Sequence, residues 1–131
     1  MSLCFNVVPK VDPRSPRSGG RRYYAVLKSL GLLDEREVAR QLSEETTMTP
    51  KEAEFSIHQF EKILIRNLLN GHTVKVGELG SFSLTINSSG CDAAEDVSAE
   101  CIKNVNLNFR PSERIKQAVN SAEFYPSSAD G

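Results

Sequence analysis

Apolar positions along this chain switch between two periods, and the switches mark its elements. From Thr49 onward, Ala53, Ile57, Phe60, Leu64 and Leu68 recur at the spacing of one helical face. Thr49 is placed to cap that helix, Pro50 suits its first position and Glu52 completes a capping box. Asn70-Gly71 ends it, with Gly71 at the left-handed C′ position. The stretch "LDEREVARQL" predicts an earlier helix. There Asp34 caps, Glu37 completes the box, Leu33 and Val38 take the staple positions, and Val38 and Leu42 form the buried face. A short third helix is predicted after Ser112, with Ile115, Ala118 and Val119 as its apolar face.

Elsewhere the period is two. Val74 and Val76 share a face, as do Phe82, Leu84 and Ile86, and again Val105, Leu107 and Phe109, with Asn106 and Asn108 opposite. Between the last two strands, residues 87–104 are polar and predict a long connection or protruding arm. Residues 1–33 read as an added β-hairpin, "FNVVPKV" and "RYYAVLKSL" around the turn-rich "DPRSPRSGGR", with Pro9 at an edge or bulge. Tyr23 and Tyr24 are consecutive on a strand, so at least one is expected in the core. Residues 123–131 are expected to be a flexible tail after a body spanning 34–122.

Gly77-Glu78-Leu79-Gly80 admits three readings. A phosphate loop needs a helix N-terminus after its glycines, yet a strand follows Gly80 and the P-loop lysine is missing. An RNA-clamping G-x-x-G lies between helices and carries basic central residues, unlike Glu78 and Leu79. A hairpin turn using positive φ is the reading that survives.

Length and composition narrow the classes. At 131 residues, 39% apolar and 25% charged, the chain is an ordinary globular one with no apolar run long enough to span a bilayer and no secretory leader pattern. Cys4, Cys91 and Cys101 are odd in number and form no C-x-x-C pair, which fits a reducing, cytoplasmic setting better than a disulfide or zinc scaffold. Net charge is −1, but unevenly spread. Residues 1–33 hold Lys10, Arg14, Arg17, Arg21, Arg22 and Lys28 against Asp12 alone, a net of +5. A basic arm on an acidic body fits either a polyanion contact or a solvated loop. His58 sits mid-helix, and His72 follows a helix end, where the dipole favours it. No triad, carboxylate pair or metal spacing stands out, so neither enzyme chemistry, a cofactor nor a metal is expected.

The helix pair, then Val74, Val76, Gly77, Gly80, Ser81 and Phe82, then an arm, then Phe109, Arg110, Pro111, Ser112, Ile115 and Lys116, resembles the bacterial HU/IHF histone-like family. The match runs over residues 34–119. With the N-terminal extension, the chain looks most like the extended HU-HIG branch. The resemblance implies an α+β fold: a two-helix hairpin, a three-stranded antiparallel sheet with a long arm, a short C-terminal helix and an intertwined dimer. It also implies an architectural binder of double-stranded DNA in the bacterial nucleoid, with arm prolines wedging base steps. The long helix supports a dimer independently, because Phe55, Ile63, Ile65 and Leu69 make it apolar beyond its main stripe.

Two departures qualify this. The arm holds Asp92, Glu95, Asp96 and Glu100 against Lys103, and has no proline. Ser112 replaces the family glycine, and Glu113 adds negative charge beside it. The expected DNA contacts are Arg14, Arg17, Arg21 and Arg22 of the extension, and Lys75, Lys103, Arg110, Arg114 and Lys116 of the body, of which Arg110 matches the family's basic residue. The alternative for the body cations is a solvated surface. The alternative function is an assembly scaffold whose acidic arm binds protein rather than DNA. No membrane and no small-molecule substrate is expected.

Overall fold

In the computed structural model, residues 1–11 and 20–127 are described. The elements run β1 (Ser2–Val11), β2 (Arg21–Leu27), α1 (Glu35–Glu45), α2 (Pro50–Leu69), β3 (Val74–Val76), β4 (Gly80–Ser88), β5 (Ile102–Pro111), α3 (Glu113–Asn120) and β6 (Glu123–Pro126). They divide into two compact units, Leu33–Lys116 and Met1–Leu32 with Gln117–Gly131.

Helix starts follow their caps. Asp34 accepts from the Glu37 N–H at 3.1 Å and Thr49 from the Glu52 N–H at 3.1 Å. The Glu37 carboxylate turns to Arg40 (Arg40 Nε to Glu37 Oε2, 3.0 Å), so that box is bonded on one side. At the end of α2, Gly71 has φ +91°. The Gly71 and His72 N–H groups donate back to Leu68 and Asn67, a Schellman closure.

The α1–α2 contact differs from the expected one. Ala39 and Ala53 are the buried residues at 1% and 0% exposure, whereas Val38 and Leu42 remain 44% and 36% exposed. Small side chains let the helices approach closely, and the larger ones are left for whatever covers the pair.

The body sheet has order β3-β4-β5, antiparallel throughout. Val74 pairs with Phe82, Phe82 with Phe109, Leu84 with Leu107, and Ile86 with Val105, so the predicted apolar strand positions share one face. The Phe82 and Phe109 rings lie 4.8 Å apart. The turn before β4 needs both glycines. Gly77 has φ +48°, and a Cβ on Gly80 would lie 2.5 Å from the Arg110 carbonyl oxygen. The region between Ser88 and Ile102 is not a long two-stranded ribbon. It folds into two short 3₁₀ turns, Ala94–Asp96 and Ala99–Cys101.

The other unit holds a sheet of order β2-β1-β6. β1 and β2 pair antiparallel, from Phe5 opposite Leu27 to Val11 opposite Arg21. Two expectations fail here. Glu123–Pro126 is no loose tail but a strand parallel to β1, because its backbone finds the open edge of the hairpin: Glu123 N–H donates to Met1 and Ser127 N–H to Phe5. Neither tyrosine is in a core. Tyr23 is 72% and Tyr24 41% exposed, since β2 is an edge strand with every residue exposed.

Candidate nucleic-acid interface

The register of the body sheet assembles what the sequence scatters. Lys75 pairs with Ser81, and Ser81 with Arg110, so three strands place Lys75, Ser81 and Arg110 in one row. Ser83 with Asn108, Thr85 with Asn106, and Asn87 with Asn104 form the rows beyond it. Alternation puts all of these on the face opposite Phe82 and Phe109. Lys75 and Arg110 are exposed, and among the described residues neither has an ion-pair partner. The neutral rows satisfy themselves in part, with Asn108 Nδ2 donating to Thr85 Oγ1 at 3.0 Å.

Charge therefore changes sign along the strands. The cationic row lies beside the Gly77–Gly80 turn. From Ser81 to Ser88 the strand climbs about 23 Å at the usual rise. Beyond Ser88 stand Asp92, Glu95, Asp96 and Glu100, all exposed. A phosphate chain laid on this face meets attraction at the turn end, hydrogen-bonding amides and hydroxyls in the middle, and repulsion at the arm.

The remaining candidates separate. Arg114 and Lys116 lie exposed on α3, and Lys116 is 3.7 Å from Glu113, a solvent-screened pair. Lys103 falls at a register shift, because Asn87 pairs with Asn104 but Ser88 with Ile102, which leaves Lys103 as the extra residue of a bulge. Arg21 and Arg22 start β2 in the other unit, with Arg22 opposite Lys10. The Lys10 ammonium sits 5.9 Å from the Tyr24 ring centroid, within cation–π range. Arg14 and Arg17 fall outside the described residues.

Ser112 has a part that sequence reasoning missed. Its N–H donates to Leu79 at 3.1 Å, its hydroxyl donates to the Glu78 carbonyl, and the same oxygen accepts from the Ile115 N–H at 3.3 Å. One residue thus ties the glycine turn to the start of α3, both of which lie beyond the same end of the cationic row. Its capping role was legible; its link to a turn 34 positions earlier was not.

Ligand atoms of Glu35, Glu54 and His58 lie within 4.8 Å of one another across α1 and α2. Two of the three have charged neighbours. Glu54 is 3.9 Å from Arg36 and from His58, and His58 is 3.7 Å from Glu61, so a surface cluster of acidic and basic side chains accounts for the grouping. No helix among the described residues is long and apolar enough to cross a membrane.

Residues 1–126 match the family model HU-HIG, described as an HU domain fused to a wHTH, Ig or glycine-rich motif. No curated protein matches the chain. Among solved structures, a protein from Bacteroides vulgatus ATCC 8482, provisionally described as a bacterial DNA-binding protein, aligns with a TM-score of 0.64 at 11% identity. The alignment covers 95% of this chain and 47% of that one, so this chain spans about half the length of that structure.

Proposed function

The chain belongs to the HU-HIG family, and on that premise we propose that it is an architectural, largely sequence-independent binder of double-stranded DNA, acting as a homodimer in the bacterial nucleoid. The observation that carries this reading is the two-sidedness of the β3-β4-β5 sheet. One face is polar, with the cations Lys75 and Arg110, which have no ion-pair partner among the described residues. The other is apolar and largely uncovered, with Ile86, Val105, Leu107 and Phe109 exposed at 55%, 58%, 64% and 45%.

The apolar face is the argument for a second subunit. The buried apolar residues among those described are Cys4, Ala39, Ala53 and Leu68, which is too small a core for a chain of this length. Phe55, Ile65 and Leu69 on α2 are 69%, 56% and 75% exposed. Covering each of these side chains is worth about 1 to 2 kcal/mol, and a copy of the same surface supplies matching apolar area.

The polar face is the argument for DNA. It holds cations and amides but no pocket of reactive groups, which suits contact with phosphates rather than catalysis. The arginines of the extension add a second set of cations. A specific observation also favours the scaffold alternative: all four carboxylates of the arm are exposed, where a DNA-wrapping arm would need cations.

The test is a duplex mobility-shift titration at several salt concentrations. It compares the wild type, a variant with Arg14, Arg17, Arg21 and Arg22 all replaced by Ala, and Arg110→Ala. Each phosphate contact contributes about −0.9 to the slope of log affinity against log salt. If half of the eight extension arginines in a dimer touch phosphate, their loss flattens the slope by roughly 3 to 4, while Arg110→Ala removes at most about 2. A flattened slope for Arg110→Ala with an unchanged one for the fourfold variant places DNA on the sheet alone. No wild-type binding at low salt rejects DNA binding and leaves the scaffold.

A further inference from the structure

The loop that joins β4 to β5 brings two thiols together. Cys91 Sγ and Cys101 Sγ are 3.4 Å apart, and both lie close to the carbonyl oxygen of Asp96, at 3.7 and 3.8 Å. The contact follows from how the loop is built. Ser89 N–H donates to Cys101 O at 2.8 Å, which extends the β4–β5 ladder one step and fixes Cys101 beside the outgoing chain. The turns Ala94–Asp96 and Ala99–Cys101 then fold the intervening residues back, so Cys91 arrives over Cys101. Both sulfurs are free, Cys91 exposed and Cys101 half-buried. A disulfide would shorten that gap to about 2.0 Å.

We propose that Cys91 and Cys101 are a redox-modifiable pair, closed to an intramolecular disulfide by hydrogen peroxide or a small peroxide and reopened by thiols. This goes beyond the DNA-binding reading and does not depend on it.

The environment assigns the roles. A hydrogen bond from the Ser98 backbone, and then the thiol of Cys91, hold the Cys101 thiol below its ordinary range, while sharing a hydrogen with Cys101 raises Cys91. Cys101 is accordingly assigned as the attacking thiolate, and single-cysteine variants test that assignment. Its sulfur displaces hydroxide from peroxide, giving a sulfenic acid, and the hydroxide takes up a proton as water. The Cys91 sulfur then attacks Cys101 Sγ. The S–O bond breaks, the thiol proton leaves with the hydroxyl as a second water, and the S–S bond forms. Two thiols lose two electrons and two protons, and one peroxide is reduced to two waters. Asp92, Glu95, Asp96 and Glu100 stand in the same loop, so an uncharged oxidant is favoured over an anionic one such as oxidised glutathione.

The test treats the reduced full-length protein with stoichiometric hydrogen peroxide in the presence of a chelator, quenches with an alkylating agent, and reads intact mass and peptide maps. The expected result is loss of two hydrogens with no added oxygen, a single cross-link between the Cys91 and Cys101 peptides, and reversal by dithiothreitol. Cys4→Ser behaves as wild type. Cys91→Ser and Cys101→Ser cannot close, and oxygen accumulates faster on Cys101 of the first than on Cys91 of the second, which identifies Cys101 as the attacking sulfur. Cross-linking in urea is slower than in the folded protein by about tenfold or more, because the unfolded loop supplies only a millimolar effective concentration. The proposal is overturned if wild type gains oxygen without a cross-link, if the bridge joins Cys4 or two chains, or if urea leaves the rate unchanged.

Discussion

Replacing Gly80 by alanine isolates what the turn between β3 and β4 demands. The new Cβ would stand 2.5 Å from the Arg110 carbonyl oxygen and 2.7 and 2.8 Å from Cε2 and Cζ of Phe109. Neither neighbour yields cheaply. Arg110 is locked opposite Ser81 in the β4–β5 ladder, and the Phe109 ring packs against Phe82 at a tilt of 38°. Overpacking of this kind costs about 3 kcal/mol, the upper part of the usual range. Gly77 is the control. Its φ is +48°, but nothing lies within 4 Å of a Cβ there, so Gly77→Ala bears only the left-handed penalty of about 1 kcal/mol. With an unfolding entropy of roughly 2.1 cal/mol/K per residue over the 131 residues, these convert to falls in Tm of about 11 °C and about 4 °C. Circular-dichroism melts of the two variants and wild type, at matched protein concentration because a partner subunit shifts Tm, provide the comparison. A Gly80→Ala variant that melts at or above Gly77→Ala would refute the reasoning, since close approach would then count for less than φ alone.

Light scattering at micromolar concentration is expected to give twice 14.5 kDa, and a well-folded particle of 14.5 kDa would contradict the dimer. End-to-end energy transfer on a short bound duplex is expected to show little bending, because the arm is acidic and has no proline, and unstacking a base step costs a few kcal/mol; large shortening at saturation would mean that another side chain wedges. The hydrogen bond from Arg40, opposed by desolvation and aided by the Gln41 hydrogen bond and the Arg40 charge, holds the Glu37 carboxyl below its ordinary range. A carboxyl lowered by folding adds stability above its unfolded pKa and loses it as pH falls through the folded one. Carbon NMR titration should therefore show Glu37 protonating below the usual carboxylate range, and at the usual range in Arg40→Ala.

What was readable in the chain is what neighbours in sequence decide. Caps at Asp34 and Thr49, the closure at Gly71 and the strand alternation around Phe82 and Phe109 are local, and residues alone carry them. The choice of Ala39 over Val38 as the α1 contact depends on how near α2 comes, which no periodicity within α1 encodes. The row of Lys75 with Arg110 depends on register, and a slip of one residue would send Arg110 to the apolar face. The Ser112 link, the Cys91–Cys101 contact and the pairing of β6 with β1 all join distant positions. Composition made 123–126 look like a tail because its partner edge lies at the other end of the chain.

That last pairing bears on synthesis. Ser2 lies opposite Glu123 and Phe5 opposite Pro126, so a strand made early is completed by one far downstream of it. All of the body, Leu33–Lys116, is synthesised while β1 still lacks a neighbour on one side. Throughout elongation the nascent hairpin presents an open edge ready to accept any extended segment, its own β6 or that of a neighbouring polysome chain. A truncation before Glu123 makes that transient state permanent, and a fusion placed close behind Pro126 competes with the closing step.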